Sequence, residues 1–421
     1  MAPIGTNEGR AAQFFRALGM DVALNYRPAR DDAAPPRARP MAAITRVEVF
    51  DDMAAAEPHW RRLERDGAFT TPYQRFDLLA AWQRHVGTRM GVRPVIVTAF
   101  DAGGEAMFVW PLGQSRVGAF GVAQFLGGKH ANVNLGLWRR DIVASIAADD
   151  IRDVLGRINE GGRGIELVTL TSQPLNWDGI SNPFALLPHQ QSADWYGRLT
   201  IDPSEPDVIG TALSNSMRSR LRTKERKLQK LKGYRYHKAM DSADIDRLLD
   251  SFLQLKAIHM PAQGLRNVFA EPGVADFLRE AAHRRLPNGD PLIEIHALEG
   301  GGEILAVFGA IADSYRFSLM INTYTIGEHS RHSPGLIILL HILADCAARG
   351  VRSFDIGAGR ASYKEFFCKE PEPLFDSFLP LTVRGSLLAL ACRASFSAKR
   401  LIKNSDSLWA GVQWLRRTRS G

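Results

Sequence analysis

Apolar positions along this chain recur at two spacings, every second residue and every third to fourth, and the two kinds of block alternate. That alternation is the pattern of a mixed α/β fold. Ile44–Phe50 reads as an alternating strand, followed by a helix to about Arg65 and a second over Phe76–His85, with Leu78, Leu79 and Trp82 on one face. Arg93–Ala99 and Ala106–Leu112, joined at Asp101–Gly104, read as a hairpin. A strand near Val122–Leu126 leads into the polar loop Gly127–Asn132, then a helix over Asp141–Arg157 and a strand over Gly164–Thr171. Pro183–Trp195 reads as a connector, with a new block starting at Trp195–Ile201. Helices are expected at Asp244–His259 and Gly273–Arg285, and a last strand ends at Pro380–Thr382.

The densest pattern runs from Ser314 to Phe367. Tyr315–Thr325 is rich in β-branched and aromatic residues, as a strand should be. Ser333-Pro334-Gly335 opens a helix: the serine is expected to cap it, and proline suits the first helical position. Leu336–Arg349 is apolar nearly all round, so it should be buried, and Gly350 stops it. Val351–Ile356 is the next strand, broken by Gly357-Ala358-Gly359 just before Tyr363 and Lys364.

One repeat stands out. PVIVTAFDAGGEAMFVWPLG, from Pro94, is echoed by PLIEIHALEGGGEILAVFGA, from Pro291. Both read strand, acidic-glycine turn, strand, and each follows a two-helix stretch, which favours two copies of one α/β unit over a chance likeness between hairpins.

Composition narrows the partners. The 421 residues are 45% hydrophobic and 23% charged, as in ordinary globular proteins, and they carry a net charge of +8. Acidic partners follow: a nucleotide cofactor, RNA or an anionic membrane face. Three cysteines without paired spacing argue against a disulfide framework or a zinc site and fit a reducing cytoplasm. No apolar run approaches a membrane span, and the first residues lack the plan of an export signal. Residues 1–42 are rich in Ala, Pro and Arg and read as mostly disordered, with Met41 an alternative start.

The positive charge is clustered. From Arg218 to Lys232 eight basic residues face one acid, Glu225, around a stripe of Leu213, Met217, Leu221, Leu228 and Leu231. Such a helix suits a solvated surface, phosphate clamping, RNA contact or an acidic lipid surface. The helix start at Ser333 is the other anion-ready feature: unpaired N–H groups and the positive dipole end favour phosphate, with Arg331 and His332 just upstream. Residues 384–421 carry eight basic residues against Asp406 and read as two amphipathic helices, around Leu387–Lys403 and Ser407–Arg417.

Five segments carry a resemblance: YQRFDLLAAWQRHVG (73–87), FLGGKHANVNLGLW (125–138), SNSMRSRLRTKERKL (214–228), SPGLIILLHILADCAARGVRSFDIGAG (333–359) and YKEFF (363–367). With the duplication, they resemble the GNAT-like acyltransferases of the CelD type, linked to cellulose and exopolysaccharide biosynthesis and distantly similar to the FemAB aminoacyltransferases. The resemblance implies α/β mixed sheets in two tandem GNAT-like units, 43–195 and 196–383, between the 1–42 extension and the 384–421 tail. It implies acyl transfer in the second unit, from an acyl-CoA such as acetyl-CoA, with no metal. Arg331, Ser333, Pro334, Gly335 and Leu336 would hold the cofactor pyrophosphate. The acceptor would be an amine or hydroxyl of a glycan or its precursor, in a groove shaped by Lys129, His130 and Asn132. If the donor were instead an aminoacyl-tRNA, as in FemAB proteins, the basic helix would bind it. A catalytically silent scaffold of a membrane polysaccharide synthase is a third reading. A cytoplasmic protein is expected, peripheral to the inner membrane face if the basic helix and tail adsorb there.

Direct transfer from a thioester needs a base, an oxyanion donor and an acid for the leaving group. Asp355 at its strand end is the candidate base, Lys364 the oxyanion donor by its match to the FemAB-like glycine-to-lysine segment, and Tyr363 the acid. Each has a structural alternative: a cap for the Gly357 turn, a surface cation, and packing on Phe366.

Overall fold

A computed structural model describes residues 43–202, 204–205, 207–359, 364–368 and 371–405. The extension expected over 1–42, the second tail helix expected over 407–417, and Tyr363 lie outside the described residues.

In the first half, β1 (Arg46–Phe50), β2 (Arg93–Phe100), β3 (Ala106–Val117) and β4 (Phe120–Phe125) form an antiparallel meander, with the short β5 (Leu137–Trp138) on β3. β6 (Leu167–Pro174) then runs parallel to β4. Helices α1 (Met53–Arg65) and α2 (Phe76–Trp82) precede the β2–β3 hairpin, and α3 (Ala148–Arg157) makes the crossover to β6. A two-residue-per-strand ribbon, β7 (Asn176–Trp177) and β8 (Ile180–Ser181), leads to β9 (Gln190–Thr200).

The second half repeats the plan. After α4 (Val208–Ala212) and the basic helix α5 (Asn215–Leu228) comes β10 (Arg235–Lys238). Helices α6 (Ser242–Ala262) and α7 (Val274–His283) then precede the hairpin of β11 (Glu294–Gly300) and β12 (Glu303–Ala312). β13 (Arg316–Tyr324), the crossover helix α8 (Pro334–Ala348) and β14 (Ser353–Ala358), parallel to β13, complete it. The two echoed sequences are therefore equivalent hairpins, β2–β3 and β11–β12.

The halves are joined in one 13-stranded sheet by crossed closing strands. β9, which follows the first half in sequence, pairs with β14 of the second. After the short helix α9 (Lys364–Phe367), β15 (Glu372–Pro380) returns to pair with β6 of the first half and also with β9. The boundary expected at 195/196 thus falls inside β9, whose residues 196–200 pair with β14, while the first half is closed by β15 from the other side of that boundary.

Local chemistry explains the layers. α8 is apolar nearly all round, and Ile337, Ile338, Leu339, Ile342, Leu343 and Cys346 are all buried, each large side chain contributing about 1.5–3 kcal/mol. α5 rests Leu221 and Leu228 on the same core and leaves its basic flanks outside. Glu225, its one acid, points inward and accepts from Tyr234 Oη (2.9 Å) and His341 Nε2 (2.6 Å), tying α5 to α8. The helix expected over Asp141–Arg157 starts only at Ala148, where the Asp150 carboxylate accepts from the Ala147 N–H. The tail helix α10 (Val383–Asn404) packs Leu388, Ala389, Cys392 and Phe396 against Phe378 and Val122. Its other face leaves Val383, Leu387, Leu390 and Leu401 exposed.

Candidate active site

β13 and β14 pair over three residues, Arg316–Ser353, Phe317–Phe354 and Ser318–Asp355, and then part. A buried charge knot fixes the point of divergence. Arg316 Nη1 donates to both oxygens of Asp355 at 2.9 and 2.8 Å, and Ser318 and Ser353 add hydroxyl bonds at 2.8 and 2.9 Å. Asp178 and the face of Trp177 hold the other side of Arg316, whose guanidinium is shifted up chiefly by Asp355 against the cost of burial. Asp355 is fully buried. Expected as the base, it has both oxygens engaged by Arg316, Ser318 and Ser353.

Just beyond the knot, the first half closes the base of the fork. The Leu319 carbonyl accepts from Tyr73 Oη at 3.0 Å and from Asn132 Nδ2 at 2.9 Å. Gly357 is required opposite them: its φ is +81°, and a Cβ would stand 3.1 Å from Asn132 Nδ2. Asn132 is thus a wedge holding the fork. The other two residues expected to shape an acceptor groove divide. His130 is buried against Phe269 and Phe277 and accepts from Trp82 Nε1 at 3.2 Å, so it supports the loop from within. Lys129 is exposed, with Glu271 3.5 Å away.

Lys364 is also corrected. Its ammonium donates to the carbonyls of Gly357 (2.9 Å), Ala358 (2.8 Å) and Gly359 (3.0 Å), which uses all three of its protons. It ties the Gly357–Gly359 turn and has none left for an oxyanion. Burial pushes this lysine down to about 8, with Cys368 and Asp194 opposing. The Cys368 thiol is pushed up to about 12 by burial, which keeps it an inert thiol.

The start of α8 differs from a simple capped helix. Ser333 sits at φ +56°, its carbonyl accepts from the N–H groups of Leu336 (3.0 Å) and Ile337 (3.2 Å), and its hydroxyl caps nothing. Instead Ser333 Oγ accepts from Lys224 Nζ of α5 at 2.7 Å. Lys227 and Arg331 crowd the same place. His332 is held below its usual value by burial first and then by Arg331, Lys227, His329 and Lys224. Lys224 is lowered by burial and then by Arg220 and Lys227. Mutual repulsion of this kind, at the positive end of a 15-residue helix, is relieved by an anion. The equivalent crossover helix of the first half, α3, carries Asp149 and Asp150 in its first turn, which disfavours one.

Two further groups reach the fork. Lys256, on α6, is half-buried with Nζ 5.9 and 5.6 Å from the ring centres of Phe252 and Phe269. It donates to Asn322 Oδ1 at 3.5 Å. Burial alone pushes it down to about 8. His259, one turn on, meets Thr323 Oγ1 at 3.5 Å and the Tyr324 ring at 5.0 Å, and is lowered by burial and by Lys256. Tyr324 in turn lies over Gly335, where a Cβ would stand 3.1 Å from its ring. Lys256 had a sequence signal: in Leu249, Phe252, Lys256 and His259 a lysine and a histidine continue a buried helical stripe. Among the described residues, the one His-and-carboxylate group close enough for a metal is His237, Asp244 and Glu299, and Arg235 and Arg247 already pair with its two carboxylates.

Residues 215–365 match the family described as an acetyltransferase (GNAT) domain. The match begins at α5 and runs through the start of α8 and the fork, and with it the chain is an acyltransferase. No curated protein matches the sequence. Among solved structures, FemX aligns with a TM-score of 0.54 at 9% identity, covering 79% of this chain and 97% of that one. L-PGS from Bacillus licheniformis gives 0.44 at 13% identity, over 78% of this chain and 97% of that one. A tandem GNAT protein from the clavulanic acid biosynthesis pathway gives 0.42 at 10%, over 79% and 98%. The FemX likeness extends across both halves and is a likeness of fold. No helix among the described residues is long and apolar enough to cross a membrane.

Proposed function

We propose that the protein transfers an acyl group from an acyl-CoA to an amine or hydroxyl acceptor, directly and without a covalent enzyme intermediate. The observation that carries this reading is the contact between Lys224 and Ser333, which places the basic flank of α5 against the start of α8. A diphosphate there would meet the Gly335 N–H, the positive end of the helix dipole and the cations Lys224, Lys227 and Arg331. From that seat the thioester arm would follow the edge of β13 beyond Ser318, where its pairing with β14 ends. An acceptor from envelope or extracellular polysaccharide synthesis is the substrate class we favour, on the resemblance of the five sequence segments alone.

A second donor has its own observation. The opposite flank of α5 carries Arg218, Arg222 and Arg226, which line a separate groove of about 340 Å³ with Asn215, Ser219 and Thr223. These arginines span about 12 Å along the helix, more than one diphosphate needs and well matched to an RNA backbone. An aminoacyl-tRNA donor would use both flanks.

Thermal unfolding of the full chain, titrated with acetyl-CoA, longer acyl-CoAs and bulk tRNA, separates the readings, because a ligand of the folded state raises the melting temperature by mass action. An acyl-CoA shift lost in Lys224→Glu supports the first. A tRNA shift alone, lost in Arg222→Glu, supports the second. Silence from every ligand removes both and leaves the scaffold reading.

A further inference from the structure

β13 presents alternate residues to the two faces of the sheet, and its pairing with β12 identifies them. Thr323 lies opposite Val307, which belongs to the core under α6 and α7. Asn322 lies opposite Phe308, which belongs to the core under α5 and α8. Lys256 comes from α6, yet its ammonium reaches Asn322, on the other face. One edge of β13 is covered by β12, so the side chain crosses at the other edge, the one β14 abandons beyond Ser318. Its Nζ therefore lies in the mouth of the fork. Two residues along the same strand, about 7 Å away, Tyr324 covers the first turn of α8.

We infer that Lys256 is the proton carrier of the acyl transfer, taking a proton from the acceptor at the open edge of β13. This rests on the acyl-donor reading above. The neutral Nζ removes a proton from the acceptor as its nitrogen or oxygen attacks the thioester carbonyl. The new acyl bond forms, the C–S bond breaks, and the ammonium returns the proton to the leaving thiolate, so the lysine ends as it began. What surrounds it suits the task. From its own helix it faces Phe252 and His259, from β13 the neutral Asn322, and from the turn after α6 Phe269. Glu271, two residues past Phe269 in sequence, is turned to Lys129 and Arg266. With no acid among the described residues offsetting its burial, the amine is held down to about 8, where it is partly free base near neutral pH.

Two measurements on the full chain test this. In the first, trace acetic anhydride is applied across a pH series and lysine acetylation is read by peptide mass spectrometry. Lys256 should titrate near 8, well below the ordinary lysine value of 10.5, and bound acetyl-CoA should slow its labelling but not that of the exposed Lys129. Titration near the ordinary lysine value, or no protection by acetyl-CoA that demonstrably binds, overturns the proposal and leaves the donor reading intact. In the second, Lys256→Met should keep the thermal response to acetyl-CoA while thiol release with glycinamide falls at least about 100-fold. Release with hydroxylamine, which is neutral at pH 7 and needs no base, should fall far less. An equal fall with both nucleophiles, or no fall, rejects a proton-transfer role. If wild-type protein gives no thermal response to acetyl-CoA, the donor reading fails first and this proposal fails with it.

Discussion

Lys224 on the basic helix donates to the Ser333 hydroxyl at the start of the buried helix across 2.7 Å. Two features 109 residues apart, each unremarkable alone, become one anion-facing surface through that contact. A Lys224→Glu, Lys227→Glu protein should bind acyl-CoA about 10- to 100-fold more weakly, since two charge-assisted contacts become repulsive. Its unliganded melting temperature should change little, since Lys227 is exposed and Lys224, half-buried, gives up one hydrogen bond to Ser333. Isothermal titration at two salt concentrations checks this, and affinity independent of both charge and salt would remove the anion site.

Asp355 should prove a structural residue. Asp355→Ala strands the buried Arg316 charge and should cost about 3–5 kcal/mol in urea unfolding. Asp355→Asn keeps the shape and should cost less. A well-folded Asp355→Ala protein with normal stability but no turnover would restore the base assignment.

Lys256 gives a stability signature with a definite sign. Its folded value, about 8, lies below the ordinary lysine value of 10.5. Below pH 8 both states are charged and the fold bears the full burial cost. Between 8 and 10.5 the unfolded chain holds more protons, so wild-type stability rises with pH. Lys256→Met should therefore be more stable than wild type at pH 7, by about 1–2 kcal/mol after allowing for partial solvent access, and the gain should vanish near pH 10.5. Chemical denaturation at the two pH values reads it, and a gain of equal size at both would point to packing instead.

The Asn132 wedge should matter more to the fork than to any acceptor. Asn132→Ala leaves Tyr73 as the remaining donor to the Leu319 carbonyl and should cost about 1–2 kcal/mol. The double variant with Tyr73→Phe strands that carbonyl and should cost more than either single change. Gly357→Ala should cost about 1–3 kcal/mol through its left-handed backbone and the approach of Asn132. Additive, negligible losses would mean the fork is held elsewhere.

Much of the architecture was legible because it is local. Hydrophobic period marked the paired hairpins β2–β3 and β11–β12, and the all-apolar α8 announced its own burial. The Leu213–Leu231 stripe forecast which face of α5 packs, and what remained of that helix had to be basic and outside. The helix start at Ser333-Pro334 was also readable, although its serine bonds Lys224 instead of capping.

The partners of Asp355, Lys364 and Lys256 were decided only by the tertiary structure. A strand-end aspartate reads as a base until Arg316, Ser318 and Ser353 surround it, and a loop lysine reads as an oxyanion donor until three carbonyls take its protons. Lys256 lies on a helix whose own period would bury it, and only the parting of β13 from β14 gives its amine somewhere to go. Period and propensity act between residues a few positions apart, so the sequence by itself determined elements, faces and the clustering of charge. Whether a titratable group is satisfied depends on partners brought from distant segments and on the water they exclude, and those are properties of the assembled sheet.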